Sequence, residues 1–291
     1  MATLLRHCRN LNSNKWKISE TFVFKQKRLI RTGSIEERKV RISGIPINFV
    51  EFGDGSHAIL CLPGLVGSIQ TDFAPIFQYF DQGKFRIVAW DPPGYGQSRP
   101  HQRQHSGNFY ERDAQVALAL MKKLGHEKFS LLGWSNGGMT AFTAAALYPT
   151  AIQNLVMWGT HAYLDAKSRE FMNSIRHLRN WSPQMLSPAL KVYDRKYLSE
   201  LLDDWADATI KSSLGGINPS FAKYISQVSC PTLAIHGTKD KVLGADHCEF
   251  FRTTMKNCRV TYIRDGGHNL HLSKPREFVS IVESFLLGEV K

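Results

Sequence analysis

Apolar residues in this chain come in short unbroken runs more often than in alternation. "HAILCLPG" (57–64), "FRIVAWD" (85–91), "KFSLLGW" (128–134), "IQNLVMWG" (152–159), "PTLAIHG" (231–237) and "RVTYIRD" (259–265) all have strand length. Most end at Gly or Asp, residues that break a strand. Continuous apolar strands imply a sheet covered on both faces. Upstream, "KVRISGIPINFVEFGDG" predicts two further strands around Gly44 and a turn at Gly53–Gly55.

The segments between these runs carry helical periodicity. "GNFYERDAQVALALMKKLG" (107–125) repeats its apolar residues every three or four positions and stops at Gly125. "GGMTAFTAAALYP" (137–149) is small and apolar, and "KPREFVSIVESFLLG" (274–288) closes the chain. Strand–helix alternation predicts an α/β domain over 35–291, with a mostly parallel, doubly wound, eight-stranded sheet. One stretch breaks the rhythm. Residues 161–228 hold "HLRNWSPQMLSPALKVYDRKYLSELLDDWADATI", helical in pattern throughout. It predicts a helical lid inserted between the sixth and seventh strands, over the carboxyl ends where open α/β sheets bind ligands.

Composition narrows the function classes. The 291 residues are 43% hydrophobic, enough for a sizeable core. No apolar stretch reaches the about 18 residues of a membrane-spanning helix. The formal charge of +12 is concentrated at the N-terminus, where residues 1–34 hold eight Lys/Arg and the single acid Glu20, a net +7. The remaining +5 forms no basic stripe with interleaved aromatics, so no nucleic-acid partner is expected. The acid-poor, Arg/Lys/Ser/Asn-rich residues 1–34 read as a mitochondrial transit peptide, which gives a mitochondrial location as the expectation and a cytoplasmic one without it. Five cysteines with no CxxC pair indicate neither a disulfide framework nor zinc, and no metal or cofactor is expected. No pattern indicates an oligomer, so a monomer is the default.

The candidate chemistry lies in "LLGWSNGGMT" (131–140), where Ser135 follows a strand and precedes a helix. Flanking glycines leave room for a sharp turn, the strand–turn–helix setting of the G-x-S-x-G nucleophile elbow. A serine nucleophile needs a histidine base, and that histidine needs an acid to fix its tautomer. In this architecture the chain order is Ser, acid, His. Asp240 in "HGTKD" follows the seventh strand and His268 in "RDGGHNLHL" follows the eighth, both at the same sheet edge as Ser135. His271 competes with His268, but the Gly-Gly before His268 suits a loop that presents its side chain. His236 lies within a strand and reads as packed. His161 opens the insertion and reads equally as pocket lining or a solvated loop residue. The oxyanion donors are expected to be the backbone N–H of Asn136 and of Leu65 in "LPGLVGS". Asp91 in "DPPGYGQSRP" reads as a loop pin, and Phe73, Tyr95, Trp134 and Trp158 as core aromatics.

The stretches "LPGLVGS", "TDFAPI", "VAWDPPGYGQSRP", "FYERDA", "SLLGWSNGGMTA", "HGTKD" and "GGHNLHL" resemble the α/β-hydrolase superfamily, and within it the biphenyl hydrolase-like serine hydrolases. The resemblance runs from about residue 38 to the end, more loosely over 161–228. It implies hydrolysis of small esters, particularly α-amino acid esters, with Ser135, Asp240 and His268 as triad. In that family the residue after the nucleophile is commonly an aspartate that holds the substrate ammonium. Here it is Asn136, whose amide oxygen can accept from an ammonium without neutralising it. Asn136 is therefore the expected substrate-binding residue, with the amino-ester preference in question. A carbon–carbon bond hydrolase with the same triad, and a catalytically silent binding module, are the alternatives.

Overall fold

The computed structural model describes residues 35–99, 102–212 and 219–289; the segment read as a transit peptide lies outside them. Eight strands form one sheet: β1 (Arg38–Ile42), β2 (Ile45–Phe52), β3 (His57–Leu62), β4 (Phe85–Trp90), β5 (Phe129–Trp134), β6 (Ile152–Trp158), β7 (Thr232–Gly237) and β8 (Cys258–Ile263). Their spatial order is β1-β2-β4-β3-β5-β6-β7-β8. β1 and β2 form an antiparallel hairpin closed by Ser43 and Gly44, both at positive φ (49° and 83°). Two successive positive φ values suit a tight turn whose twist matches that of the strands. β2 runs antiparallel to β4, and every later pairing is parallel.

Neighbouring residues of the central strands feed two different cores. Leu60, Leu62, Val88, Trp90 and Leu131 pack on one face with α1 (Phe109–Lys123) and α2 (Asn136–Leu147). Ile59, Cys61, Ile87, Ala89 and Leu132 pack on the other, against the helical turns at 69–79 and the C-terminal helix. Burial on both faces is why these strands read as unbroken apolar runs. The outer strands differ from that expectation. In β8 only Ile263 is buried, and in β1 only Ile42, because an edge strand is covered on one side at most.

Between β6 and β7 the chain forms α3 (Ala166–Ile175), α4 (Pro183–Val192), α5 (Arg195–Ser212) and α6 (Pro219–Gln227). Local sequence sets the starts of the first two. The Asp165 side chain accepts from Ser168 N–H, and Ser182 accepts from Met185 N–H with Pro183 in the first turn. Leu178, Tyr193, Leu198, Leu201 and Leu202 of this insertion share a core with Val66 and Tyr95, which lie in the loops after β3 and β4. The insertion is thereby seated on the carboxyl edge of the sheet. Its last helix joins the main body instead: Phe221 stands edge-on to Phe142 of α2, centroids 5.4 Å apart. The chain then continues through α7 (Asp246–Thr254), α8 (Leu270–Ser273) and α9 (Pro275–Leu286). Among the described residues no helix is long and apolar enough to cross a membrane.

Candidate active site

Ser135 joins β5 to α2 with φ 52° and ψ −116°. A non-glycine residue pays strain for a positive φ, and such strain persists only where the surroundings enforce it. Here close packing does so. A Cβ on Gly133 would lie 2.7 Å from Gly138 Cα and 2.8 Å from Ala141 Cβ. On Gly137 it would overlap the carbonyls of Leu62 and Pro63. The glycines therefore let the strand, the helix and the β3 loop converge, and Ser135 is left at the apex.

Asp240 and His268, from the loops after β7 and β8, meet Ser135 there. His268 Nε2 lies 3.1 Å from Ser135 Oγ, and His268 Nδ1 lies 2.9 Å from Asp240 Oδ2. The Asp240 side chain is 2% exposed and that of His268 21%. Burial opposes the Asp240 charge, but the His268 charge and hydrogen bond and the amides of Leu243 and Val242 outweigh it, holding its pKa below the usual carboxylate value. An ionised Asp240 can only accept, so Nδ1 carries the proton and the Nε2 lone pair faces the serine hydroxyl. Two further contacts fix the imidazole. Trp134 Nε1 donates to the His268 carbonyl at 3.0 Å, and Gly159, at φ 58°, leaves space that a Cβ would fill 2.9 Å from His268 Cε1.

The backbone amides of Leu65 and Asn136 have no protein acceptor among the described residues. Both belong to the converging segments, the second at the N-terminus of α2, where the helix dipole favours negative charge. The β3 loop is braced by Asp72. Its Oδ2 accepts the Gly64 amide at 2.9 Å, and its Oδ1 accepts from Thr71 Oγ1 at 2.7 Å. Burial pushes this carboxyl up to about 7 against those two hydrogen bonds, and the Asp91 charge adds to the rise.

Asn136 is 5% exposed, and its amide oxygen is already engaged. Tyr110 Oη donates to Oδ1 at 2.7 Å and Trp205 Nε1 donates to it at 3.2 Å. The expectation that this oxygen faces a substrate ammonium is not met, because two protein donors occupy its two lone pairs.

The remaining candidates have other partners. Asp91 accepts from the Ile69 and Gln97 amides and from Asn48 Nδ2 at 2.7–2.9 Å, pinning its loop. His271 is fully buried and accepts from Trp158 Nε1 at 2.9 Å, behind the site. His236 is buried within β7, edge-on to Tyr262. Phe73, Tyr95 and Trp158 are core. His161 is not a solvated loop residue: it is buried against His247, centroids 5.4 Å apart. Sequence reasoning missed Asp72, Tyr110 and Trp205 as site residues. Asp72 and Tyr110 stand in quoted family-like stretches, whereas Trp205 sits on an amphipathic helix with no local mark.

Comparison with known proteins gives the family. The alpha/beta hydrolase fold family matches residues 57–189. The chain is 40% identical over 253 residues to serine hydrolase BPHL of Mus musculus, covering 87% of both chains. It is 38% identical, with the same coverage, to serine hydrolase BPHL of Homo sapiens. The fold is shared at lower identity with 2-hydroxy-6-oxo-6-phenylhexa-2,4-dienoate hydrolase from Rhodococcus, with TM-score 0.73, 17% identity, and 87% of this chain and 99% of that chain covered. It is likewise shared with a bacterial membrane phospholipase A, with TM-score 0.73, 19% identity, and 87% and 86% covered. The chain belongs to the α/β-hydrolase fold family and, matching serine hydrolase BPHL over nearly nine-tenths of both chains, is a serine hydrolase.

Proposed function

We propose that this serine hydrolase cleaves small carboxylic esters through an acyl-enzyme on Ser135. The observation that carries the reading is the continuous hydrogen-bond chain from Ser135 Oγ through His268 to Asp240. Ser135 Oγ attacks the ester carbonyl as its proton passes to His268 Nε2. The carbonyl electrons move onto oxygen, where the amides of Leu65 and Asn136 receive the charge; one such donor contributes about 2.7–4 kcal/mol in a transition state. Collapse breaks the ester C–O bond, and the leaving alkoxide takes the proton from His268. Water then attacks the acyl-enzyme and gives its proton to His268. The second collapse returns that proton to Ser135 Oγ and releases the acid. Asp240 stays ionised throughout, orienting the ring and stabilising the imidazolium.

Short-chain p-nitrophenyl esters test this reading. The wild type should give a phenolate burst stoichiometric with enzyme before the steady state, and Ser135→Ala none. An absence of turnover across the ester panel would overturn it. We also propose that the enzyme acts in mitochondria, supported by the basic, acid-poor composition of residues 1–34.

A further inference from the structure

Leu65 and Val66 are the two central residues of a tight turn, closed by the Gly67 amide donating to the Gly64 carbonyl at 3.1 Å. Val66 has φ 50°. A positive φ at the third position of a turn normally calls for Gly or Asn, and a β-branched residue there is strained. Such strain persists only where the surroundings hold it. Asp72 holds the Gly64 end of the turn. The Val66 end is held from the helical insertion. Its side chain is buried in a core shared with Leu198, Leu201 and Leu202 of α5. Its amide donates toward the oxygen of Tyr95. Burial pushes that phenol up to about 12, and the Arg103 charge and the Val66 amide oppose the rise.

Tyr95 Oη begins a hydrogen-bond chain that ends on the same helix. It lies 3.0 Å from His105 Nε2, and His105 Nδ1 lies 2.9 Å from Asp204 Oδ2 of α5. Arg103 fixes the direction of every bond in the chain. A guanidinium can only donate, and its Nε–H points at His105 Nε2 from 3.3 Å. That nitrogen is therefore the acceptor, Nδ1 carries the proton, and Asp204 receives it. Tyr95, facing an acceptor, donates its hydroxyl proton to Nε2 and keeps its oxygen for the Val66 N–H. His105 is fully buried, and burial together with the Arg103 charge holds its pKa well below the usual histidine value, so the ring stays neutral. Arg103 is itself fixed by Asp113, to which it donates at 2.7 and 2.5 Å, and its guanidinium lies 4.7 Å from the centroid of the Tyr95 ring.

We propose that Tyr95, His105 and Asp204 are positioning residues for the oxyanion donor: their hydrogen-bond chain holds the Val66 amide, keeps the strained turn in place and so aims the Leu65 N–H. The geometry of that donor is thereby tied to the seating of α5 on the sheet. The inference rests on the ester-hydrolase reading, in which Leu65 receives the developing charge. A donor that acts only on transition-state charge contributes nothing to ground-state binding, so loosening the chain costs kcat and spares KM.

A p-nitrophenyl ester and a trifluoromethyl ketone, which adds the serine oxygen to give a stable oxyanion, provide the test. Tyr95→Phe removes the oxygen and keeps the ring. It should lower kcat by about 10-fold with KM little changed, and weaken ketone binding by a similar factor. Asp204, with its side chain 48% exposed, can be replaced without opening the core. Asp204→Ala should lower kcat by about 3–10-fold, whereas Asp204→Asn keeps an acceptor for His105 and should stay within about 2-fold of the wild type. The double variant Tyr95→Phe/Asp204→Ala should be no slower than Tyr95→Phe alone, because Asp204 acts through Tyr95. An unchanged kcat in Tyr95→Phe, losses that multiply in the double variant, a rise in KM at constant kcat, or an Asp204→Asn as slow as Asp204→Ala would overturn the inference while ester turnover stands. Absence of ester turnover by the wild type, with no covalent labelling of Ser135, would overturn the ester-hydrolase reading and this inference together.

Discussion

The carboxyl of Asp72 accepts the Gly64 amide at 2.9 Å, so a buried acid eight residues downstream holds the turn from which Leu65 presents its N–H. Asp72→Ala would leave the Gly64 amide and the Thr71 hydroxyl without their acceptor and let the loop shift. With the Leu65 amide proposed as an oxyanion donor, acting on charge that develops only in the transition state, the loss should appear in kcat, by about 10–100-fold, with KM little changed. Asp72→Asn keeps one acceptor oxygen and should lose less. Steady-state kinetics on one ester decides this; a rise in KM at constant kcat would assign Asp72 to ground-state binding instead.

Ser135 and His268 act as a unit if the hydrogen-bond chain is the catalytic one. Ser135→Ala and His268→Ala should each lower kcat by about 10⁴–10⁶-fold, and the double variant should be no worse than either. Losses that multiply would mean two independent contributions.

Acid lability follows from two enclosed histidines. Burial pushes His161 and His271 down to about 3, the neighbouring histidine charges adding to the fall. In the unfolded chain the same groups protonate near pH 6.5. Between about 6.5 and 3 the unfolded state therefore binds more protons, and stability falls as pH is lowered through that window. Asp72 has the opposite sign. Raised to about 7, it holds an extra proton in the folded state, and its contribution is lost as pH rises from about 4 through 7. Two histidines outweigh one carboxyl on the acid side. His271→Gln keeps an acceptor for Trp158 and cannot titrate, so its stability should fall less steeply between pH 6 and 4, by up to about 1.4 kcal/mol per pH unit. Urea unfolding at several pH values gives both slopes; equal slopes would show that His271 is not buried neutral.

Residues 1–34, net +7, should direct a fused reporter into mitochondria and be absent from the mature enzyme. Imaging and N-terminal sequencing check this, and a diffuse signal with an intact N-terminus would contradict it.

The elements that position the site were legible because their physical causes are local. Burial on both faces makes β3–β7 read as continuous apolar runs, and the elbow glycines mark where backbones converge on Ser135. Asp240 and His268 stood out because chain order and strand ends confine a triad to few positions. The orientation of Asn136 was not legible. It depends on Trp205, 69 residues away on a cap helix, and on Tyr110 from the first turn of α1. Neither contact has a periodicity or spacing that announces it. The same holds for Asp72, whose role follows only from the close approach of its carboxyl to Gly64 and Gly67. The sequence leaves His161 open between pocket lining and solvent, since exposure of a loop residue is set by what packs on it, here His247 from α7.

Covalent labelling tests the central claim most directly. A fluorophosphonate reacts with a serine whose hydroxyl is activated by its histidine, and peptide mapping by mass spectrometry locates the adduct. The wild type should carry one phosphonyl group on Ser135. His268→Ala should label far more slowly, and Ser135→Ala should not label while it remains folded. An adduct on another serine, or full ester turnover by a wild type that resists labelling, would contradict the account.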